Sequence, residues 1–253
     1  QGCHLALSDV SAKGLEETAQ MLQGYGVKVT TDILDVSDRE AVYAWADKTA
    51  REHGKVNMIF NNAGVALSGT VGALSLEDYQ WIMDINFNGV LYGTKAFLPH
   101  LEAAGEGHII NTSSIFGLAS QPLMSGYNAS KFAVRGLTES LRQDLEISRS
   151  PVSCSCVHPG GIKTNIAKHS KNGAEFEEKY LKTDPLFAVR EVIKGIQSGK
   201  QRMIFGYQSS LLRFLTLLPL KLRNRILHRE MGDMRDPEHY AVLEQYSTSS
   251  SRS

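Results

Sequence analysis

The chain is short of cysteine, of net charge and of long apolar runs, and each shortage excludes a class of protein. Three cysteines in 253 residues make an odd count without metal-ligand spacing. That argues against a disulfide framework and for a reducing compartment, so a cytoplasmic location is expected. Basic and acidic residues balance at 27 each, so no global field recruits nucleic acid and no nucleic-acid partner is expected. The histidines show no metal-ligand pattern, and no metal is expected. Serine hydrolysis is set aside because no Gly-x-Ser-x-Gly elbow occurs and no histidine falls where strand order would supply a base. The longest uncharged run in the leucine-rich C-terminal segment, from Phe214 to Leu220, is interrupted by Pro219 and far too short to span a bilayer. The first residue is Gln1 rather than Met, and a strand pattern begins almost at once. The chain therefore reads as one that has lost its beginning, and a missing targeting segment excludes little.

What is present is an apolar fraction of 42%, enough for a substantial core. Short β-rich runs read as strands at His4–Ser8, Lys28–Leu34, Val56–Asn61, His108–Thr112, Val152–His158 and Arg202–Phe205. Between them lie helical patterns near Ser11–Gln23, Ser37–His53, Leu76–Ala104, Gly126–Ile147 and Pro185–Ser198. Ser37 with Glu40, and Ser75 with Asp78, carry the signature of helix starts. Apolar runs without alternation, separated by helices, predict a doubly wound α/β fold with a parallel sheet covered on both faces. Cys154 and Cys156 would share one face of a buried strand. The expected organisation is one domain over 1–207, a helical extension over 208–245 and a disordered tail over 246–253, whose "STSSSRS" has nothing apolar to bury.

In such sheets ligands sit beyond the carboxyl ends of the strands. The residues closing these strands are Asp9, Asp35, "NNAG" at 61–64, "NTSS" at 111–114 and "HPGGIKT" at 158–164. Tyr127 and Lys131 lie four apart on a helical pattern and point the same way. Ser114 precedes Tyr127 by thirteen residues, and Asn86 sits within "INFNG". These motifs, in this order, resemble the short-chain dehydrogenase/reductase family, a Rossmann-type family built on a Tyr-x-x-x-Lys pair; the resemblance runs from about Gly2 to about Gly206.

That resemblance implies an NAD(P)-dependent oxidoreductase interconverting a secondary alcohol and a ketone or aldehyde. Tyr127 would be the general acid or base, its phenol drawn down from a value near 10 by the Lys131 ammonium. Lys131 would also hold the nicotinamide ribose, Ser114 would steady the substrate oxygen, and Asn86 would hold a water behind Lys131. The hydride belongs to the cofactor. Asp9 ends the first strand, where a carboxylate accepts from ribose hydroxyls and repels a 2′-phosphate, so NAD is expected over NADP. By resemblance Asp35 and Val36 contact adenine, Asn62, Ala63 and Gly64 line the adenosine side, and Pro159, Gly160, Ile162 and Thr164 lie by the nicotinamide. His158 is expected to pack or hydrogen-bond locally.

The sequence departs from the family in one respect: no glycine-rich Thr-Gly-x-x-x-Gly-x-Gly turn is present, although that turn holds the pyrophosphate. The expectation is that a first strand, turn and helix are missing and that the chain is a fragment. The alternative is a non-catalytic family remnant unable to hold dinucleotide. Phe116, Leu118, Leu123 and Met124 are candidates for an apolar substrate pocket, and 165–184 for its lid; the small-molecule substrate is an alcohol or carbonyl compound, with a hydrophobic one and a small polar alcohol both open. Leu211, Leu215, Leu218 and Leu222 share a helical stripe beside Lys221, Arg223 and Arg225, which allows a peripheral membrane contact through 210–227. A homodimer or homotetramer is implied by the resemblance alone.

Overall fold

The computed structural model describes residues 2–167 and 181–230. Most of the expected lid, the end of the extension and the tail over 246–253 lie outside the described residues. Six strands form where the apolar runs predict them: β1 (Leu5–Asp9), β2 (Val29–Ile33), β3 (Met58–Asn61), β4 (Gly107–Thr112), β5 (Val152–Pro159) and β6 (Arg202–Phe205). All pair in parallel, in two sheets: β1 with β2, and β3-β4-β5-β6 in that order. Helices α1 (Ala12–Met21), α2 (Arg39–His53), α3 (Leu76–Met83), α4 (Gly89–Ala103), α5 (Ser125–Ser148), α6 (Pro185–Gln197), α7 (Ser209–Leu215) and α8 (Leu220–Glu230) connect and follow them. The architecture is a Rossmann-like α/β fold.

The expectation of a missing first βα unit is not confirmed, because β1 and α1 together form a βα unit at the start of the described chain. The expectation that both faces of the sheet are covered needs correction. On β3, Ile59 is buried against Ala96 and Phe97 of α4, whereas Met58 and Phe60 are 44% and 51% exposed. Helix α4 covers one face of that short strand, and among the described residues β3 pairs with β4 alone and β1 with β2 alone. Both β1 and β3 thus keep an unpaired edge.

Two helix starts test the capping signals. Ser75 and Asp78 form a full capping box on α3, each side chain accepting from the other's backbone N–H. Ser37 does not cap α2: Asp38 does, accepting from Ala41 N at 3.0 Å, while the Ser37 hydroxyl donates to Asp35 at 2.7 Å. The single helix expected over Leu76–Ala104 is interrupted by a π turn at Asp84–Asn88. Hydrophobic periodicity alone does not reveal such a one-residue expansion, and π turns concentrate at functional positions.

The main core joins α2, α4 and α5 to the sheet through Val42, Ala46, Phe97, Leu101, Ile109, Leu145 and Cys154. Trp45 meets Phe97 edge to face at 5.1 Å, a geometry worth roughly 0.5–1.5 kcal/mol beyond the area buried. Cys154 and Cys156 are free and buried, and burial pushes each thiol up to about 11, which makes them packing groups.

Candidate active site

Helix α5 carries Tyr127 and Lys131 one turn apart, both buried, on the wall of a cavity of about 630 Å³. Several hydrogen bonds fix this turn. Ser130 Oγ donates to the Tyr127 carbonyl at 2.8 Å, and Asn86 Nδ2 donates to Ser130 Oγ at 3.1 Å. Ser113 Oγ donates to the Lys131 carbonyl at 2.7 Å. Gly117 lies so close that a Cβ there would overlap both Ser113 Oγ and that carbonyl. The Lys131 ammonium donates to the Thr112 carbonyl at 3.1 Å and stands 5.7 Å from the centre of the Tyr127 ring.

Ser114, extended and 5% exposed, follows β4. Its Oγ accepts from Phe116 N at 3.1 Å, and it hydrogen-bonds the Tyr127 phenol from below the cavity wall. His158, fully buried at the end of β5, donates from Nδ1 to the Ser114 carbonyl at 2.9 Å; the carbonyl can only accept, so this bond fixes the tautomer. The local role expected for His158 is thus a tether on the strand end that carries Ser114. Asn86 lies in the π turn and does not reach the cavity lining. Its Oδ1 accepts from Val65 N at 2.8 Å and its Nδ2 donates to the Val65 carbonyl at 2.9 Å, so its side chain ties the chain after "NNAG" to α5.

The electrostatics differ from the expectation. Burial pushes the Tyr127 phenol up, and the Ser114 hydroxyl draws it part of the way back. Burial also brings the Lys131 ammonium down to about 8. Lys131 is therefore not the group that acidifies Tyr127 in this arrangement, because its head is turned to a carbonyl and is itself poorly solvated. Burial brings the His158 imidazole down to about 4.

The wall also includes Leu7, Ser8, Asp9, Asn62, Ala63 and Gly64, the last close beside Lys131 Nζ, and Pro159, Gly160, Ile162 and Thr164. Asp9 is exposed, with one oxygen accepting from Ser11 N at 2.8 Å. A Cβ at Gly160 would overlap the Tyr207 carbonyl, so only glycine lets this turn lie flat. Asp35 and Val36 do not line the cavity. The Asp35 carboxylate is occupied by Ser37, and Val36 packs where a Cβ at Gly89 would sit. Of the pocket candidates, Phe116 and Met124 line the cavity; Leu118 and Leu123 do not.

The sequence reading missed Ser113, Thr112 and Ser130, which hold Lys131 and Tyr127, and Thr18 and Gly14 on the wall. It also missed the buried Asn61–Asn111–Thr138 chain, in which Asn61 Nδ2 donates to Asn111 Oδ1 at 2.8 Å and Asn111 Nδ2 to Thr138 Oγ1 at 3.1 Å. The signal available was two asparagines ending neighbouring strands in register.

The wall suits a nicotinamide dinucleotide at its two sugar ends. Asp9 offers an acceptor at one, and Tyr127 and Lys131 offer donors at the other. The phosphates are less well served. Among the described residues the lining glycines are Gly14, Gly64, Gly160 and Gly161, none in a glycine-rich turn.

Residues 1–175 match the short chain dehydrogenase family. SadH of Mycobacterium tuberculosis is 45% identical over 214 residues, covering 81% of this chain and 78% of that protein. Estradiol 17-beta-dehydrogenase 11 of Homo sapiens is 32% identical over 227 residues, covering 88% and 72%. Among solved structures, a short chain dehydrogenase/reductase from Burkholderia phymatum in complex with NAD superposes with a TM-score of 0.75 at 30% identity, covering 79% of each chain.

Proposed function

The chain belongs to the short chain dehydrogenase family, and from that premise we propose that it interconverts a hydrophobic secondary alcohol and its carbonyl compound, with Tyr127 as the proton-transfer group and NAD preferred to NADP. The observation that carries the reading is that Tyr127, hydrogen-bonded by Ser114 behind it, and Lys131 line the same cavity as Asp9. A bound nicotinamide supplies or accepts the hydride. Tyr127 gives its proton to the carbonyl oxygen in reduction and takes it back in oxidation. The raised phenol stays protonated through neutral pH, which suits the acid role. Ser114 orients that phenol and offers its hydroxyl to the oxygen on which charge grows. Lys131 is assigned a ribose hydroxyl, and its passage through about 8 makes its charge sensitive to mildly alkaline pH.

Support for an apolar substrate comes from Phe116, Met124, Ile115 and Ile166 on the wall and from the estradiol dehydrogenase relative. Support for NAD comes from Asp9, with no positive charge beside it at Val10. The remnant alternative is disfavoured because Tyr127, Lys131 and Ser114 stand assembled. The reading includes a homo-oligomer and a membrane-surface contact through 210–227.

Following NADH absorbance with purified protein and a panel of steroidal, aliphatic and aryl ketones tests the reading. Turnover with an apolar ketone is expected; no turnover with any ketone, at nucleotide levels that saturate binding, would refute it.

A further inference from the structure

Helices α7 and α8 have two unlike sides. Inward, Leu212 and Leu215 are buried with Phe116, Met124 and Tyr127, and Leu218, Ile226 and Leu227 pack against them. Gln208, at the start of α7, lines the cavity itself. The stripe expected from the sequence therefore divides: Leu215 and Leu218 face the core, Leu211 and Leu222 face out. The outward side remains strongly apolar. Leu211, Phe214, Leu217, Leu220 and Leu222 are 40%, 57%, 79%, 60% and 43% exposed, in a chain where most large apolar side chains of the other helices turn inward.

Charge distinguishes the possible occupants. From Ser209 to Arg229 the sequence contains no Asp or Glu but holds Arg213, Lys221, Arg223, Arg225 and Arg229, with Glu230 following, in a chain of zero formal charge. Arg213, Lys221 and Arg225 are exposed beside the leucines. A second copy docked on this face would set Arg213, Lys221 and Arg225 against their own counterparts, and among the described side chains of α7 and α8 there is no carboxylate to pair them. An anionic bilayer suits both features, since leucine and phenylalanine enter the acyl boundary while arginine and lysine meet the phosphates.

We infer that the outer side of α7 and α8 seats the protein on an anionic lipid surface, beside the cavity that takes its substrate. This rests on the apolar-substrate reading: Gln208, just before α7, lines the cavity, and the inner side of α7 packs on Phe116, Met124 and Tyr127 of its wall. A substrate dissolved in the bilayer then enters without crossing water.

The test is co-sedimentation of the full chain with vesicles of phosphatidylcholine alone and of phosphatidylcholine mixed equally with phosphatidylglycerol. Binding to the mixture, weak binding to phosphatidylcholine and release by high salt are expected. Phe214→Ser with Leu217→Ser, and separately Lys221→Glu with Arg225→Glu, each lower the partition coefficient by about tenfold or more. NADH turnover of a water-dispersed ketone stays unchanged in both variants. No sedimentation with the mixed vesicles overturns the inference, as does sedimentation indifferent to both variants. Light scattering that shows a dimer lost in Phe214→Ser with Leu217→Ser, without vesicle binding by the parent, assigns the face to a second copy and also overturns it. Turnover read in the same samples separates the two proposals: vesicle binding without turnover defeats the enzyme reading, and turnover without vesicle binding defeats this one.

Discussion

Strands β1 and β2 contain no buried residue, whereas β4 buries three of its six and β5 six of its eight. The contrast runs through the site. On the β4–β5 side Ser114, Tyr127 and Lys131 are desolvated, and the strand ends and helix turn that carry them are tied by His158, Ser113 and Ser130. On the β1–β2 side Asp9 is exposed, and its carboxylate accepts from Ser11 N of its own loop. Proton transfer needs groups fixed to a fraction of an ångström and shielded from water. Recognition of a sugar hydroxyl needs only an available acceptor. On the proposed reading, each task falls to the half that suits it.

The sharpest way to break the comparison is Tyr127→Phe. It removes one hydroxyl from the buried half, so turnover should fall by about 10²–10⁴ while nucleotide affinity, measured by fluorescence titration, stays within a few fold. A comparable loss of affinity would mean that the two halves do not divide the work.

The second effect is on stability. The buried imidazole of His158 titrates near 4, against 6.5 for an ordinary histidine. Above pH 6.5 both folded and unfolded chains hold it neutral and its contribution is fully present. As pH falls from 6.5 toward 4 the unfolded chain takes up a proton that the folded site refuses, so stability is lost by roughly 3 kcal/mol. Urea unfolding at neutral and acid pH should show this loss, and His158→Gln should flatten it; an unchanged slope in the variant would place the acid sensitivity elsewhere. Native-state hydrogen exchange then compares the halves directly: amides of β4 and β5 should open near the global limit and those of β1 and β2 well below it.

The smallest effect is at Asp9. Asp9→Asn should weaken NADH by about tenfold, near one charge-assisted hydrogen bond, and narrow the gap to NADPH. An unchanged ratio would remove Asp9 from the ribose.

The elements themselves were legible because each strand is a short apolar run closed by polar residues, and Ser75 with Asp78 announced its helix correctly. Legibility ended where packing decides. Nothing in "INFNG" foretells a π turn, and Ser37 and Asp38 are equally good caps until Asp35 takes the serine hydroxyl. The order of Ser114, Tyr127 and Lys131 located the site, but spacing could not show that burial would outweigh the lysine's charge at the phenol. Asp35 and Val36 end a strand as Asp9 does, yet they turn away from the cavity. The leucine stripe gave period without direction, and only the packing of Leu215 against the core shows which leucines are left outside.

The most direct measurement is titration of the purified chain with NADH, followed by nicotinamide fluorescence, in the parent and in Lys131→Met. If the cavity between Asp9 and Tyr127 is the dinucleotide site, the parent saturates at micromolar to sub-millimolar nucleotide and Lys131→Met binds at least several fold more weakly. Absence of any saturable signal from the folded parent at millimolar NADH would contradict the account at its centre.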